Sequence, residues 1–154
     1  MKILVMSDSH GAQNAMLQAV EKESPDYILH LGDCDSDCSV ITSMYPNIPI
    51  RAVKGNCDPF SSQPDIENFK LEGKYFLMTH GHIFSVKSTL TRLMSQARHQ
   101  NADIVLYGHT HIPHKEQYKN ALIVNPGSIG HGVPKKYAII EINDGKVICE
   151  HKRL

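Results

Sequence analysis

Five times along this chain a short apolar run breaks at a small or turn-forming residue, and polar residues of metal-binding type follow at once. The five segments are Asp8-Ser9-His10, Gly32-Asp33, Gly55-Asn56, Thr79-His80-Gly81-His82 and Gly108-His109-Thr110-His111. The run before the first, residues 2–7 with Ile3-Leu4-Val5-Met6 at its centre, is short, apolar and rich in strand formers, which is the pattern of a central strand buried on both faces. Sheets of parallel type bind ligands beyond the carboxyl ends of their strands. Five strand ends of this kind predict one crevice in which the five polar groups meet.

Between these runs lie the covering elements. After Gly11, the residues Ala15, Met16, Leu17 and Val20 share one side of a helical wheel, and Ser24-Pro25 stops the pattern. A strand is predicted over 27–31, a helix carrying Val40, Ile41 and Met44 before Pro46, and a third strand over 48–53. The rhythm then changes to a hairpin of 68–71 and 75–79 turning at 72–74, followed by a helix over about 88–99 with Leu90, Leu93, Met94 and Ala97 on one face. Strands over 104–107, 114–118, 121–124, 137–142 and 146–151 complete the chain, the last two joined by Asn143-Asp144-Gly145. Alternating α/β order first and β-rich order later gives too many strands for one three-layer sheet, so two stacked sheets flanked by helices are expected. The length of 154 residues fits a single domain over 1–154.

Charge and composition narrow the partners. Lys plus Arg is 16 and Asp plus Glu is 16, so bulk charge offers no grip on nucleic acid or an anionic membrane. The chain also lacks a long basic stripe or a row of stacking aromatics, and nucleic acid is not the expected ligand. The apolar runs are too short for a bilayer and the start lacks a signal-peptide core, which predicts a cytoplasmic protein. Cys34, Cys38, Cys57 and Cys149 show no paired zinc-knuckle spacing and are read as free thiols.

The 10 histidines point to acid-base or metal chemistry. Asp carboxylates, an Asn carbonyl and neutral imidazoles suit Mn²⁺, Fe, Zn²⁺ or Ni²⁺, with too few carboxylates for a calcium cage. Asp8/His10 and His109/His111 are spaced i, i+2, which on extended backbone aims both members of a pair to one side, so that one metal could use one member of each pair. With Asp33 shared, the donors fill two sites about 3.5–4 Å apart, the spacing that clamps a phosphoryl transfer. Each segment also has a plainer use. Asp8 could cap the following helix, Gly32-Asp33 could be an ordinary turn, and Asn56 could be a left-handed turn residue. His82 could order a water, touch a phosphate or fill a turn. His30 is expected in the core, His99, His114 and His151 at the surface, and His131 near the cleft without an assigned role.

In order, the five segments resemble the motifs of the calcineurin-like metallophosphoesterases, and more closely the small YfcE-type phosphodiesterases. Gly55-Asn56-Cys57-Asp58 and Asn125-Pro126-Gly127-Ser128 extend the likeness, which covers nearly the whole chain. The resemblance implies a two-sheet α/β/β/α sandwich. It implies that Asp8, His10, Asp33 and His111 hold one divalent ion, that Asp33, Asn56, His80 and His109 hold a second, and that a metal-bridging hydroxide is the nucleophile. Cys57 departs from the wider superfamily, where many members have a histidine thought to assist the leaving group. Asp58, His82 or metal-bound water are the candidates to replace it, and Asn125 to Ser128 is read as a brace behind the His109/His111 loop.

The expected function is thus a two-metal phosphoesterase, a phosphodiesterase acting on small phosphodiesters, with Asp33, Asn56, His80 and His82 at the reacting phosphate. Mn²⁺ is the expected ion, with Ni²⁺, Fe²⁺ or Zn²⁺ also compatible. Its rivals are a nuclease or phosphomonoesterase of the same fold and a non-catalytic protein-binding scaffold like the retromer subunit of this fold. The family's tendency to self-associate leaves room for a homodimer or homotetramer.

Overall fold

In a computed structural model that describes all of Met1–Leu154, the first apolar run becomes β1 (Lys2–Met6), and its side chains alternate between two cores. Ile3 and Val5 join an inter-sheet cluster, whereas Leu4 and Met6 pack with a helix-covered one. That division explains why the run is apolar at consecutive positions: both faces of the strand are buried, and period-2 alternation selects which core a residue enters rather than choosing core or solvent.

The chain continues as α1 (Gln13–Glu23), β2 (Tyr27–His30), α2 (Cys38–Met44), β3 (Ile50–Ala52), β4 (Ile66–Leu71), β5 (Lys74–Thr79), α3 (Thr91–His99), β6 (Ile104–Tyr107), β7 (His114–Tyr118), β8 (Ala121–Asn125), β9 (Lys136–Asn143) and β10 (Lys146–Arg153). Two five-stranded sheets form, in the orders β10-β9-β1-β2-β3 and β4-β5-β6-β8-β7. Strands β1, β2 and β3 run parallel in the first sheet, as do β5, β6 and β8 in the second. The antiparallel strands β9 and β10 extend the first sheet at one side, and β4 and β7 flank the second.

Between the sheets lie Val5, Leu29, Met78, Leu106 and Val124 among others, all fully buried. Met16, Ala19 and Val20 of α1 and Ile41 of α2 cover the outer face of the first sheet, and Leu93 and Ala97 of α3 cover that of the second. The layers are therefore α/β/β/α, as expected. No helix is long and apolar enough to cross a membrane.

Three local readings change. The helix expected from residue 88 begins at Thr91, because Ser85 is left-handed at φ 57° and Ser88 and Thr89 bond back to its carbonyl. Both hairpins turn on two residues rather than three. Glu72-Gly73 and Asp144-Gly145 have positive φ throughout, the geometry that matches strand twist in tight hairpins. The last strand runs on to Arg153, paired with Lys136.

Candidate metal centre

The five strand-end segments converge, but not through extended backbone. Asp8, His10, Asp33, His109 and His111 have φ of 54°, 44°, 59°, 68° and 59°, so the expectation that i, i+2 spacing alone aims each pair to one side does not hold. Left-handed backbone costs a non-glycine residue about 1–3 kcal/mol, and surrounding structure must impose it. The two pairs then behave differently. Asp8 and His10 stay in one donor group, whereas His109 and His111 part into two.

Much of the restraint is backbone to backbone. Asp8 N–H donates to Gly32 O at 2.9 Å, and Ser9 N–H to Asp33 O at 3.2 Å. A Cβ on Gly55 would lie 2.1 Å from Asp33 Oδ1, and one on Gly108 would lie 2.0 Å from Ser7 Oγ. Glycine stands at both places because neighbouring loops touch there.

Side chains complete the frame. Asp37, which nothing in the sequence singles out, accepts Ser9 Oγ at 2.7 Å, Gly11 N–H at 2.8 Å and Gln13 Nε2 at 3.1 Å. His30 lies in the core as expected: Nδ1 accepts Gly32 N–H at 3.3 Å, which leaves Nε2–H to donate to Ser9 Oγ at 3.2 Å. Burial lowers its pKa to about 4. Asn125 Nδ2 donates to Gly108 O at 2.9 Å and Thr110 Oγ1 at 3.0 Å, which is the brace expected of that segment.

One donor group consists of Asp8, His10, Asp33 and His111, and another of Asp33, His80 and His109; within each the ligand atoms lie within 4.8 Å of one another. His111 Nε2 is 3.1 Å from Asp8 Oδ1, and His10 Nε2 is 3.5 Å from Asp33 Oδ2. The other oxygen of Asp33, Oδ1, is 3.4 Å from His80 Nε2. His80 Nε2 also lies 3.2 Å from both Asn56 Oδ1 and His109 Nδ1, which brings Asn56 to the second group.

Several observations fit this donor set to divalent cations. Asp8 Oδ1 and His10 Nε2 are buried without a hydrogen-bond partner, a rare condition for buried polar atoms. His80 Nδ1 lies 2.7 Å from Leu31 O, so Nδ1 carries a proton and Nε2 is the ring nitrogen that faces the cluster. His109 is lowered to about 4 by burial and by His80, which keeps it neutral. Burial alone would raise Asp33, but the Cys57 N–H on Oδ1 at 2.9 Å, together with His80 and His10, holds it below the usual carboxylate range.

His82 stands beside the second group, its ring 5.5 Å from that of His80 and 6.2 Å from that of His109. Its Nδ1 is buried and unpartnered, and burial, then His80, lowers its pKa. Cys57 is exposed, and partial desolvation of its sulfur together with the nearby Asp33 raises the thiol pKa, so it is neutral near pH 7. Asp58 leaves the candidates for leaving-group acid: its two oxygens accept Cys34, Asp35 and Gly55 N–H groups, so it braces the loop from beneath.

Of the histidines read as surface residues, only His99 is fully so. His114 Nδ1 lies 2.9 Å from Tyr107 Oη, and His151 Nε2 donates to Asn125 O at 2.7 Å. All four cysteines are free, and none joins either donor group. His131 lies against the first group, its ring 4.5 Å from His10 and 5.0 Å from His111.

Comparison with known proteins gives a consistent answer. The family model of the calcineurin-like phosphoesterase superfamily domain matches residues 1–145. The probable metallophosphoesterase YsnB of Bacillus subtilis is 35% identical, covering 84% of this chain and 75% of that protein. Phosphodiesterase YfcE of Escherichia coli K12 is 26% identical over 97% of both. Among solved structures, a predicted phosphoesterase from Streptococcus pneumoniae has a TM-score of 0.81 at 30% identity, covering 99% of this chain and 88% of that one. Zinc-complexed Vps29 of Entamoeba histolytica, at 21% identity and TM-score 0.77 over 99% of each chain, shares the fold.

Proposed function

The chain belongs to the calcineurin-like phosphoesterase superfamily and is a metal-dependent phosphoric ester hydrolase, and from that membership we propose that it cleaves small phosphodiesters at a pair of divalent ions. Asp33 carries the reading, because its two oxygens face different donor groups. Asp8, His10, Asp33 and His111 would hold the first ion, and Asp33, Asn56, His80 and His109 the second. Divalent ions bound there would activate water and offset charge on the phosphoryl oxygens.

The protein's own groups fix the geometry. The Cys57 N–H on Oδ1 favours the carboxylate form of Asp33, and Leu31 O sets the His80 tautomer. Asn56 adds a ligand oxygen without adding charge. His82, whose ring stands 5.5 Å from that of His80 at the edge of the second group, is assigned the contact to the substrate phosphate. The neutral Cys57 thiol brings no positive charge to a departing oxygen, so acidic leaving groups should depart best.

A diester substrate is supported by the relative named a phosphodiesterase, and a small one by the balance of 16 basic against 16 acidic residues. Mn²⁺ is the first ion to supply, since the carboxylate and amide oxygens of Asp8, Asp33 and Asn56 suit it. A cytoplasmic setting belongs to the same reading, as four free thiols suit a reducing compartment.

The test is metal dependence on bis(4-nitrophenyl) phosphate. Stripped protein should not turn over, and Mn²⁺ should restore activity. Full activity in protein shown by metal analysis to be ion-free would overturn the mechanism, and tight partner binding without turnover under any metal would favour the scaffold alternative.

A further inference from the structure

The loop after β8 is built onto the segment that carries the first donor group. Ser128 Oγ donates to Asp8 O at 2.9 Å and accepts the Gly130 and His131 N–H groups at 3.1 and 2.7 Å. Gly130 N–H donates to Asp8 O at 3.1 Å, and a Cβ on Gly130 would meet Ser9 O at 2.2 Å. The backbone of residue 131 is thus fixed against Asp8-Ser9-His10, while the His131 side chain is exposed. Its ring stands edge-on to His10 and nearly parallel to His111, at interplanar angles of 72° and 20°.

Three imidazoles crowd together here with their ligand nitrogens within 4.8 Å of one another. Two of them already belong to the first donor group. His10 Nε2 is also one of the buried atoms without a hydrogen-bond partner. Packing between rings explains little of this: an exposed imidazole gains little from lying against two others, and a serine is spent holding its backbone in place.

We propose that His131 is a displaceable fifth protein ligand of the first metal site, reached from the solvent side, and that it biases this site toward nitrogen-preferring ions such as Zn²⁺ or Ni²⁺ over Mn²⁺. Without it the first site offers two carboxylates and two imidazoles. With it the donors are two carboxylates and three imidazoles, a set that moves preference along the series from manganese toward zinc and nickel. Because His131 is on the open side, its release uncovers a coordination position while Asp8, His10, Asp33 and His111 keep the ion. The inference rests on the metal-site assignment made under the proposed function.

Calorimetric titration of metal-stripped protein with Zn²⁺ and separately with Mn²⁺ tests it, using the unmodified chain, His131→Ala, His131→Gln and His10→Ala. In both His131 variants one of two Zn²⁺ sites should weaken by about tenfold or more, while Mn²⁺ affinity changes by less than about threefold. The Co²⁺-loaded protein should show the visible spectrum of one site altered by the same variants. Superimposable Zn²⁺ titrations for the unmodified chain and both variants would overturn the proposal, and equal losses for Zn²⁺ and Mn²⁺ would overturn its selectivity. His10→Ala separates the two levels: it should abolish one site, and if it retains both, the underlying assignment falls as well.

Discussion

Asp33 does at the scale of one residue what no other side chain here does: it turns one oxygen to His10 and the other to His80. Asp33→Asn should therefore disturb both ions, whereas Asn56→Ala, which touches one group, should loosen one. Metal content after dialysis measures this, and two ions retained at normal affinity by Asp33→Asn would show the shared ligand to be misassigned. His30 makes a different prediction. Its folded pKa of about 4 lies below the ordinary value of 6.5 because the ring is buried, so between those values the unfolded chain binds a proton that the folded chain refuses. Stability from this group is complete above about pH 6.5, falls as pH drops, and levels off below about 4. The loss between about pH 7 and pH 5 is about 2 kcal/mol for this group. In urea unfolding with chelator present, His30→Gln should lose less stability than the unmodified chain over that interval by about this amount. Parallel pH profiles would contradict the assignment.

Among elements, the ends of β2 and β3 carry the heaviest constraint, because the loops beyond them lie in contact. Gly55 needs no left-handed backbone; what it needs is the absence of a side chain, since a Cβ would fall 2.1 Å from Asp33 Oδ1 and 2.4 Å from Asp33 N. Gly55→Ala must move backbone, which costs about 1–3 kcal/mol in a tightly packed place, and it displaces the shared carboxylate. Lower stability together with loss of metal binding is expected from thermal melts and metal analysis of the variant. An unchanged metal content would mean that Asp33 tolerates the shift. Gly73 supplies a contrast of a different kind. A Cβ there would meet nothing within 4 Å, and its constraint is φ 78° in a hairpin turn.

Across the whole molecule the donors come from both sheets. Asp8, His10, Asp33 and Asn56 follow β1, β2 and β3, and His80, His109 and His111 follow β5 and β6. Few bonds already join the sheets at this edge, among them His80 Nδ1 to Leu31 O at 2.7 Å and His109 N–H to Asp8 Oδ2 at 3.2 Å. Ions held between the sheets would fasten them, and an ion present at about a hundredfold its Kd adds about 2.7 kcal/mol to the folded state. Stripping the metal should lower Tm by about 10 °C. The stripped protein should still fold, because the inter-sheet core of Val5, Leu29, Met78, Leu106 and Val124 contains no donor. A Tm indifferent to metal would argue against ions at this junction.

How much is legible in the chain depends on the range of the interaction. The doubly buried strands are visible because a strand between two cores needs apolar residues at every position, and Ile3-Leu4-Val5-Met6 supplies them. The order of the five polar strand ends is visible for the same reason, since each sits just beyond such a run. Asp37 carries no signal: its partners Ser9, Gly11 and Gln13 are more than twenty positions away, and an acidic residue in a polar stretch looks like solvent-facing charge. His131 is expected near the cleft from its place just after Gly127-Ser128, but its contact with His10 carries no local signal, and neither does that of His151 with Asn125, because folding alone makes both. The separation of His109 from His111 does not follow from their spacing, because left-handed φ at both residues is imposed by the packed loops around them. The pattern of apolar runs and turns is local, and it suffices to specify the two sheets and the residues that end their strands. Where each side chain at those ends points depends instead on contacts between loops distant in sequence, which exist only once the two sheets have packed together.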